Sequence, residues 1–120
     1  DTAASDYFAG SYASAIAGFD AFLRAFPRSE LADDAYYNIG ESHFLQNQFE
    51  SAIAAYNQVI QTYPGTNSVP QALYKRGIAQ ERLGQLDTAR ASWEAVLKSF
   101  PDSTAAILAK QSLNRTLKQP

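Results

Sequence analysis

Few residues of this chain could do chemistry, and their types point to recognition rather than reaction. His43 is the only histidine and cysteine is absent, which removes thiolate catalysis, disulfides and cysteine-type zinc sites. A lone histidine with no nucleophile beside it reads as a packed residue at a helix edge. Asp33 and Asp34 open a helical stretch, where acids complement the helix dipole, and two carboxylates are too few for a metal site. Nucleophile-elbow, phosphate-loop and His-Glu zinc patterns are missing. No enzymatic activity, catalytic residue, metal or cofactor is therefore expected. Asn114-Arg115-Thr116 fits a glycosylation sequon, a three-residue match that carries little weight. What remains is a supply of rings, with seven tyrosines, seven phenylalanines and one tryptophan. Such side chains bind through their faces and, in tyrosine, through a hydroxyl.

Composition sets the limits within which those rings must work. The 120 residues are 46% hydrophobic and 18% charged, enough for one globular domain with a modest core. A net charge of -2 disfavours nucleic acid as a partner, and no stretch is long and apolar enough to span a bilayer. The opening "DTAASDYFAG" has neither an initiator Met nor a signal segment and reads as a mature or excised fragment. Charge is uneven: residues 1–60 carry eight acids and two bases, whereas residues 61–120 carry four acids and eight bases. The plain reading is solvated helix faces; the sharper one is an acidic and a basic end able to steer a charged partner.

The elements that position the rings follow from an internal repeat. Pro27, Pro64 and Pro101 are spaced by 37 residues. In the same register stand Ala15, Ala52 and Ala89; Phe19, Tyr56 and Trp93; Leu23, Ile60 and Leu97; and Phe26, Tyr63 and Phe100. Gly10, Asn47 and Gly84 also align, shortly before Tyr12, Phe49 and Leu86. Within a unit the apolar stripe Ala52, Tyr56, Ile60, Tyr63 has helical spacing and implies one buried face. The proline then ends that helix. Ser29, Thr66 and Ser103 follow two residues later, where a hydroxyl can cap the next helix, and Pro70 suits a first turn.

Each unit thus reads as first helix, turn at Gly or Asn, second helix and proline stop. Gly40 and Gly77 on the first helices are expected to admit Ala52 and Ala89 of the second ones, small against small. "DTAASDYFAG" reads as a shortened first helix with Ala3 at the glycine position, turning at Gly10. The tail "STAAILAKQSLNRTLKQ" reads as a polar-faced cap on the last unit. The expected architecture is all-α: one domain over 1–120, with units of roughly 1–28, 29–65 and 66–102 and a capping helix over 103–118.

These residues resemble the tetratricopeptide repeat (TPR), in which a small residue after an apolar one, A-x3-aromatic and a closing proline mark a helix-turn-helix unit. Ile39-Gly40, Ala52 to Tyr56 and Pro64 carry the pattern, and Gly77, Ala89 to Trp93 and Pro101 repeat it. The resemblance implies an α–α superhelix, or TPR solenoid. Tyr36 and Leu73 stand where that family favours tryptophan, and His43 and Gln80 where it favours tyrosine. Arg76 replaces an expected leucine, which implies looser packing in the third unit. With the 37-residue period, the phrases "AIAGFDAFLRAFPRSELADDAYYNIGESHF" and "FESAIAAYNQVIQTYP" are similar to a narrower group. That group is the C-terminal domain of the Tol–Pal periplasmic accessory protein, the cell-division coordinator. A neighbouring resemblance is to the TPR lipoprotein of the outer-membrane β-barrel assembly machine.

The resemblance implies a non-enzymatic protein-binding module in the periplasm. Its implied partners are Tol–Pal components or cell-wall synthesis proteins, and its implied role links outer-membrane constriction to cell-wall synthesis. TPR stacks bind on a concave face lined by first helices. Here that face selects Asp34, Tyr37, Asn38, Glu41, Phe44 and Leu45 in the second unit and Gln71, Tyr74, Lys75, Ile78, Glu81 and Arg82 in the third. Tyr7 would join from the first unit, and Gln111 and Arg115 from the cap. Tyr7, Tyr37 and Tyr74 suggest an aromatic strip for an extended or helical peptide; the alternative is that they only support neighbouring helices. The Lys/Asn carboxylate clamp of chaperone-binding TPRs is not matched by Tyr37 with Glu41 or Tyr74 with Ile78. The second partner expectation is self-association. It would run head to tail, acidic half against basic half, or through an N-terminal coiled coil such as precedes the domain in the Tol–Pal group.

Overall fold

A computed structural model describes residues 2–117, with side chains from Gly10 onward. Six helices follow one another: α1 (Thr2–Ala25), α2 (Ala32–Leu45), α3 (Phe49–Thr62), α4 (Ser68–Arg82), α5 (Leu86–Ser99) and α6 (Thr104–Thr116). No strand occurs among the described residues. Each helix packs on its successor, and α2 touches α4 and α4 touches α6, while α1, α3 and α5 do not touch one another. Alternate helices that approach on one side and splay on the other curve the stack, leaving α2, α4 and α6 on its inner side. The radius of gyration, 15.0 Å, exceeds the roughly 13.6 Å of a compact 120-residue globule. The molecule is an all-α helical repeat solenoid.

Chain geometry at the helix ends accounts for the period. Tyr63 (φ −126°) and Phe100 (φ −136°) leave helical geometry directly before their prolines, as steric conflict with the proline ring demands. Asn47 (φ 60°) and Gly84 (φ 79°) supply the left-handed residue that reverses the chain within a unit. Pro70 lies in the first turn of α4. The hydroxyls after the prolines behave differently from one another. Ser103 Oγ caps α6 by accepting from the Ala106 amide at 3.0 Å. Ser29 Oγ accepts from Leu31 N at 3.1 Å, ahead of α2. Thr66 donates backward to the Tyr63 carbonyl and caps nothing.

The first unit departs from the expected turn. Helix α1 runs straight through Gly10. A reversal there would have to be offset by burial of the short segment before it, whereas continuing the helix adds one bond per residue. After the other two turns an acid begins the next helix, Glu50 on α3 and Asp87 on α5; Ala13 stands in that column and offers the dipole nothing.

The core is built on rings lying across glycines, not on glycine against alanine. A Cβ at Gly40 would fall 2.6 Å from Tyr56 Cε1, and one at Gly77 2.7 Å from Trp93 Cδ1. Tyr56 and Trp93 are fully buried, as are Val59 and Val96. The stripe therefore passes from Tyr56 to Val59, leaving Ile60 and Leu97 partly exposed. Tyr63 leans on Tyr36, ring centroids 6.0 Å apart, and its hydroxyl donates to the Pro27 carbonyl at 3.2 Å. Phe26, in the same column, is 59% exposed.

Arg76 does not loosen the third unit. Its Nε donates to Ser92 Oγ at 3.0 Å and its Nη1 to Asn57 Oδ1 at 2.9 Å, tying α4 to α5 and α3. Ser92 in turn donates to Gln80 Oε1 at 2.7 Å. Burial lowers the affinity of that guanidinium for its proton, and these acceptors offset the cost. No buried side-chain nitrogen or oxygen lacks a partner among the described residues.

These slots set the first test. Gly40→Ala and Gly77→Ala should each destabilise the fold by about 1–3 kcal/mol, the usual range for overpacking, read as a lower urea midpoint. Gly65→Ala, where an added Cβ meets nothing within 4 Å, should change it little. Equal effects at all three positions would contradict the slot.

Candidate functional site

Helices α2, α4 and α6 form one continuous face, and their side chains tie it together. At its upper edge Ser68 Oγ on α4 donates to Asp33 Oδ2 at 2.7 Å and Asp34 Oδ1 at 2.9 Å on α2. Asp33 and Asp34 both lie in the first turn of α2, so they serve the dipole and hold the next unit as well. At mid-face the Tyr56 hydroxyl rises from the core and donates to Glu41 Oε1 at 2.5 Å. Lys75 Nζ lies 3.7 Å from the same oxygen and 3.9 Å above the Phe44 ring. Arg82 reaches over the rings of Phe44 and Phe49 at 5.7 and 5.8 Å, within cation–π range. At the lower edge Arg115 on α6 grips Glu81 on α4 through two bonds of 2.7 and 2.9 Å. That grip holds the Glu81 carboxyl below the usual carboxylate range.

The expected face residues therefore fall into two sets. Glu41, Phe44, Lys75 and Glu81 are engaged within the protein. Tyr37, Tyr74 and Ile78 are half-buried and packed against the core. Tyr37 stacks on Tyr56, centroids 5.7 Å apart; burial, then the nearby Glu41 carboxylate, push its phenol well above the ordinary tyrosine range. The tyrosines thus support the stack, with only part of each ring on the surface. Asp34, Asn38, Arg82 and Gln111 are exposed, as is Leu45 at 60%. These are the side chains a partner meets first. Tyr7 lies outside the described side chains. His43 turns away into the unit's own turn, its Nδ1 2.7 Å from Gln48 Oε1, as a helix-edge histidine should.

The uneven charge of the two halves is partly neutralised between them by Lys75 of the basic half and Glu41 of the acidic one, while Arg115 and Glu81 pair within the basic half. The sequence reading missed Ser68 and Phe49 as members of the face. Ser68 signals itself only by lying in the turn of α4 nearest the α2 acids. Phe49 signals only its repeat column. Neither of the face's fixed cations is free to act as a carboxylate clamp, and no cluster suited to a metal ion occurs among the described residues.

Comparison with known families places this geometry. Residues 1–66 match a family model described as tetratricopeptide repeat, and residues 71–103 match a second model of the same description. No curated protein matches the chain.

The Tyr56–Glu41 bond predicts a pH dependence. Burial and Glu41 raise the proton affinity of Tyr56 above its ordinary value of 10.0, and of Tyr37 likewise. A phenol whose pKa is raised on folding contributes stability that is fully present below pH 10 and is lost as pH rises beyond it. In an alkaline absorbance titration Tyr37 and Tyr56 should stay protonated after the exposed phenols have ionised, and release their protons only with unfolding. Tyr56→Phe should cost about 1–2 kcal/mol and remove one late-titrating phenol. An unchanged titration would sink the assignment.

Proposed function

Because the chain belongs to the tetratricopeptide repeat family, we propose that it is a protein–protein interaction module whose α2–α4–α6 face receives a helical or extended segment of a partner. The observation that carries this reading is the set of contacts that ties that face together. Its first helices are cross-linked from Asp33 and Asp34 through Glu41 and Lys75 to Glu81 and Arg115. Asn38, Arg82 and Gln111, by contrast, point to solvent. A face held in place before binding loses little conformational entropy when a partner docks. Recognition then combines half-exposed tyrosine edges, a cation beside aromatic rings and exposed amides, a mixture suited to a peptide.

The finer reading is a role as the periplasmic accessory domain of the Tol–Pal system, linking outer-membrane constriction to cell-wall synthesis in division. It is supported by the 37-residue period and by the two phrases around Pro27 and Pro64. Its partner would be a Tol–Pal component or a cell-wall synthesis protein.

A photo-crosslinking residue introduced singly at Asn38, Arg82 and Gln58 tests both levels in the periplasm of a Gram-negative cell. Asn38 and Arg82 should label a protein partner several-fold more strongly than Gln58, which is exposed on α3. The finer reading expects that partner to be a Tol–Pal or cell-wall synthesis protein. Labelling confined to a β-barrel assembly component would overturn the finer reading alone. Labelling from Gln58 but not from α2 or α4 would overturn the face.

A further inference from the structure

The charged side chains of the α2–α4–α6 face are matched within the protein, with the exception of Arg82. Asp34 accepts from Ser68, Glu41 meets Lys75, and Glu81 gives both carboxylate oxygens to Arg115. Arg82 is exposed and makes neither an ion pair nor a side-chain hydrogen bond among the described residues. Its contacts are with rings instead. The guanidinium carbon lies 5.7 Å from the Phe44 centroid and 5.8 Å from that of Phe49, and those two rings meet edge to face at 5.3 Å. A guanidinium lying over rings spends its flat face on them and keeps its N–H edge free. Arg82 also stands in the last turn of α4, where a cation complements the helix dipole. That role needs only a charge near the last carbonyls; it does not account for a guanidinium laid over rings of the preceding unit.

We propose that Arg82 selects the partner by pairing with an aspartate or glutamate side chain that stands beside a large apolar residue in the docked segment. This rests on the reading of the α2–α4–α6 face as the binding surface and names the chemistry of what lies on it. Charge complementarity supplies the acid, since Arg82 is the cation of the face that the protein itself leaves unmatched among the described residues. The apolar neighbour follows from the repeat. In the column of Arg82 the second unit has Leu45, which is 60% exposed on the last turn of α2, and covering it removes apolar surface from water. A carboxylate suits the site better than a phosphate. A dianion calls for a second cation, and Lys75 and Arg115 are already held by Glu41 and Glu81. A side chain suits it better than a chain terminus, because α4 is the middle of the three first helices. A segment crossing from α2 to α6 passes Arg82 along its length.

The probe is a random peptide library displayed on phage and selected on the immobilised chain. Selected peptides should share an Asp or Glu beside a large apolar residue. Selection on Arg82→Gln should lose the acid and keep the apolar column, and selection on Arg82→Glu should put Lys or Arg in its place. Arg82 is exposed, so both variants should keep the helical circular dichroism of the unaltered chain. For one selected peptide, changing the acid to its amide should raise Kd roughly tenfold, the worth of a charged hydrogen bond. Against Arg82→Gln the same change should add less than about twofold, the non-additivity of a direct pair. Peptides lacking an acid, or no enrichment at all, would overturn the proposal, as would an acid whose effect survives Arg82→Gln. So would phosphoserine binding about tenfold tighter than the acid it replaces, or binding that needs a free peptide C-terminus. Asn38→Trp separates this failure from that of the face. Binding weakened by Asn38→Trp but not by Arg82→Gln keeps the face and sinks the acid alone, whereas peptides indifferent to both sink the face and the proposal with it.

Discussion

Everything in this fold depends on an aromatic ring laid flat across a glycine. Tyr56 over Gly40 and Trp93 over Gly77 fix how far apart the two helices of a unit stand and how they are rotated. A side chain at either glycine would overlap the ring, so the ring and the glycine have to be present together. Their polar ends then dictate the surface. Tyr56 carries a hydroxyl, which a buried setting obliges to find an acceptor, and Glu41 supplies it at 2.5 Å. Trp93 carries an N–H, which reaches the Tyr74 carbonyl at 3.2 Å. The residue in the Glu41 column of the third unit is therefore released from that duty, and it is Ile78. The face changes character between units because the core ring does.

A second exchange follows the same logic. Ile39 and Ala55 in the second unit are buried and apolar; their counterparts are Arg76 and Ser92, which bond to each other. An arginine alone in that half-buried position would give up part of its hydration with nothing in return. With Ser92, Asn57 and Gln80 arranged around it, the site is satisfied and links three helices. Substitutions between units of this solenoid thus come in matched sets, and a single position read alone misleads.

That is also why the sequence disclosed some features and hid others. Proline spacing and the alternation of helices were legible because backbone sterics act locally: Tyr63 and Phe100 cannot stay helical before proline wherever they lie. The cap at Ser103 was legible for the same reason. The Gly40 column marks a close approach, but spacing shows which positions face each other, not which side chain fills the gap, and Tyr56 rather than Ala52 fills it. Arg76 was read against an expected leucine without its partners, which lie 16 and 19 residues further on or back. The ties of Ser68 to Asp33 and Asp34 span about one repeat, beyond the reach of any helical pattern. Gly10 failed differently. It has the residue type for a turn, but a turn forms only where the segments it joins gain by packing.

The two ends of the stack show what that gain requires. At the C-terminal end α6 lies where the next first helix would, with Ala105, Ala106 and Ala109 buried against the last unit, while Lys110, Gln111 and Asn114 are exposed. Each unit of a solenoid leaves an apolar face that another helix covers. Towards the other end of the described residues, Phe19 and Phe22 stand at the edge of a groove between α1 and α2. The asymmetry does not come from a weaker repeat, because the columns of α1 keep their aromatic and small residues in register. It comes from a helix that runs on past the position where its counterparts turn back.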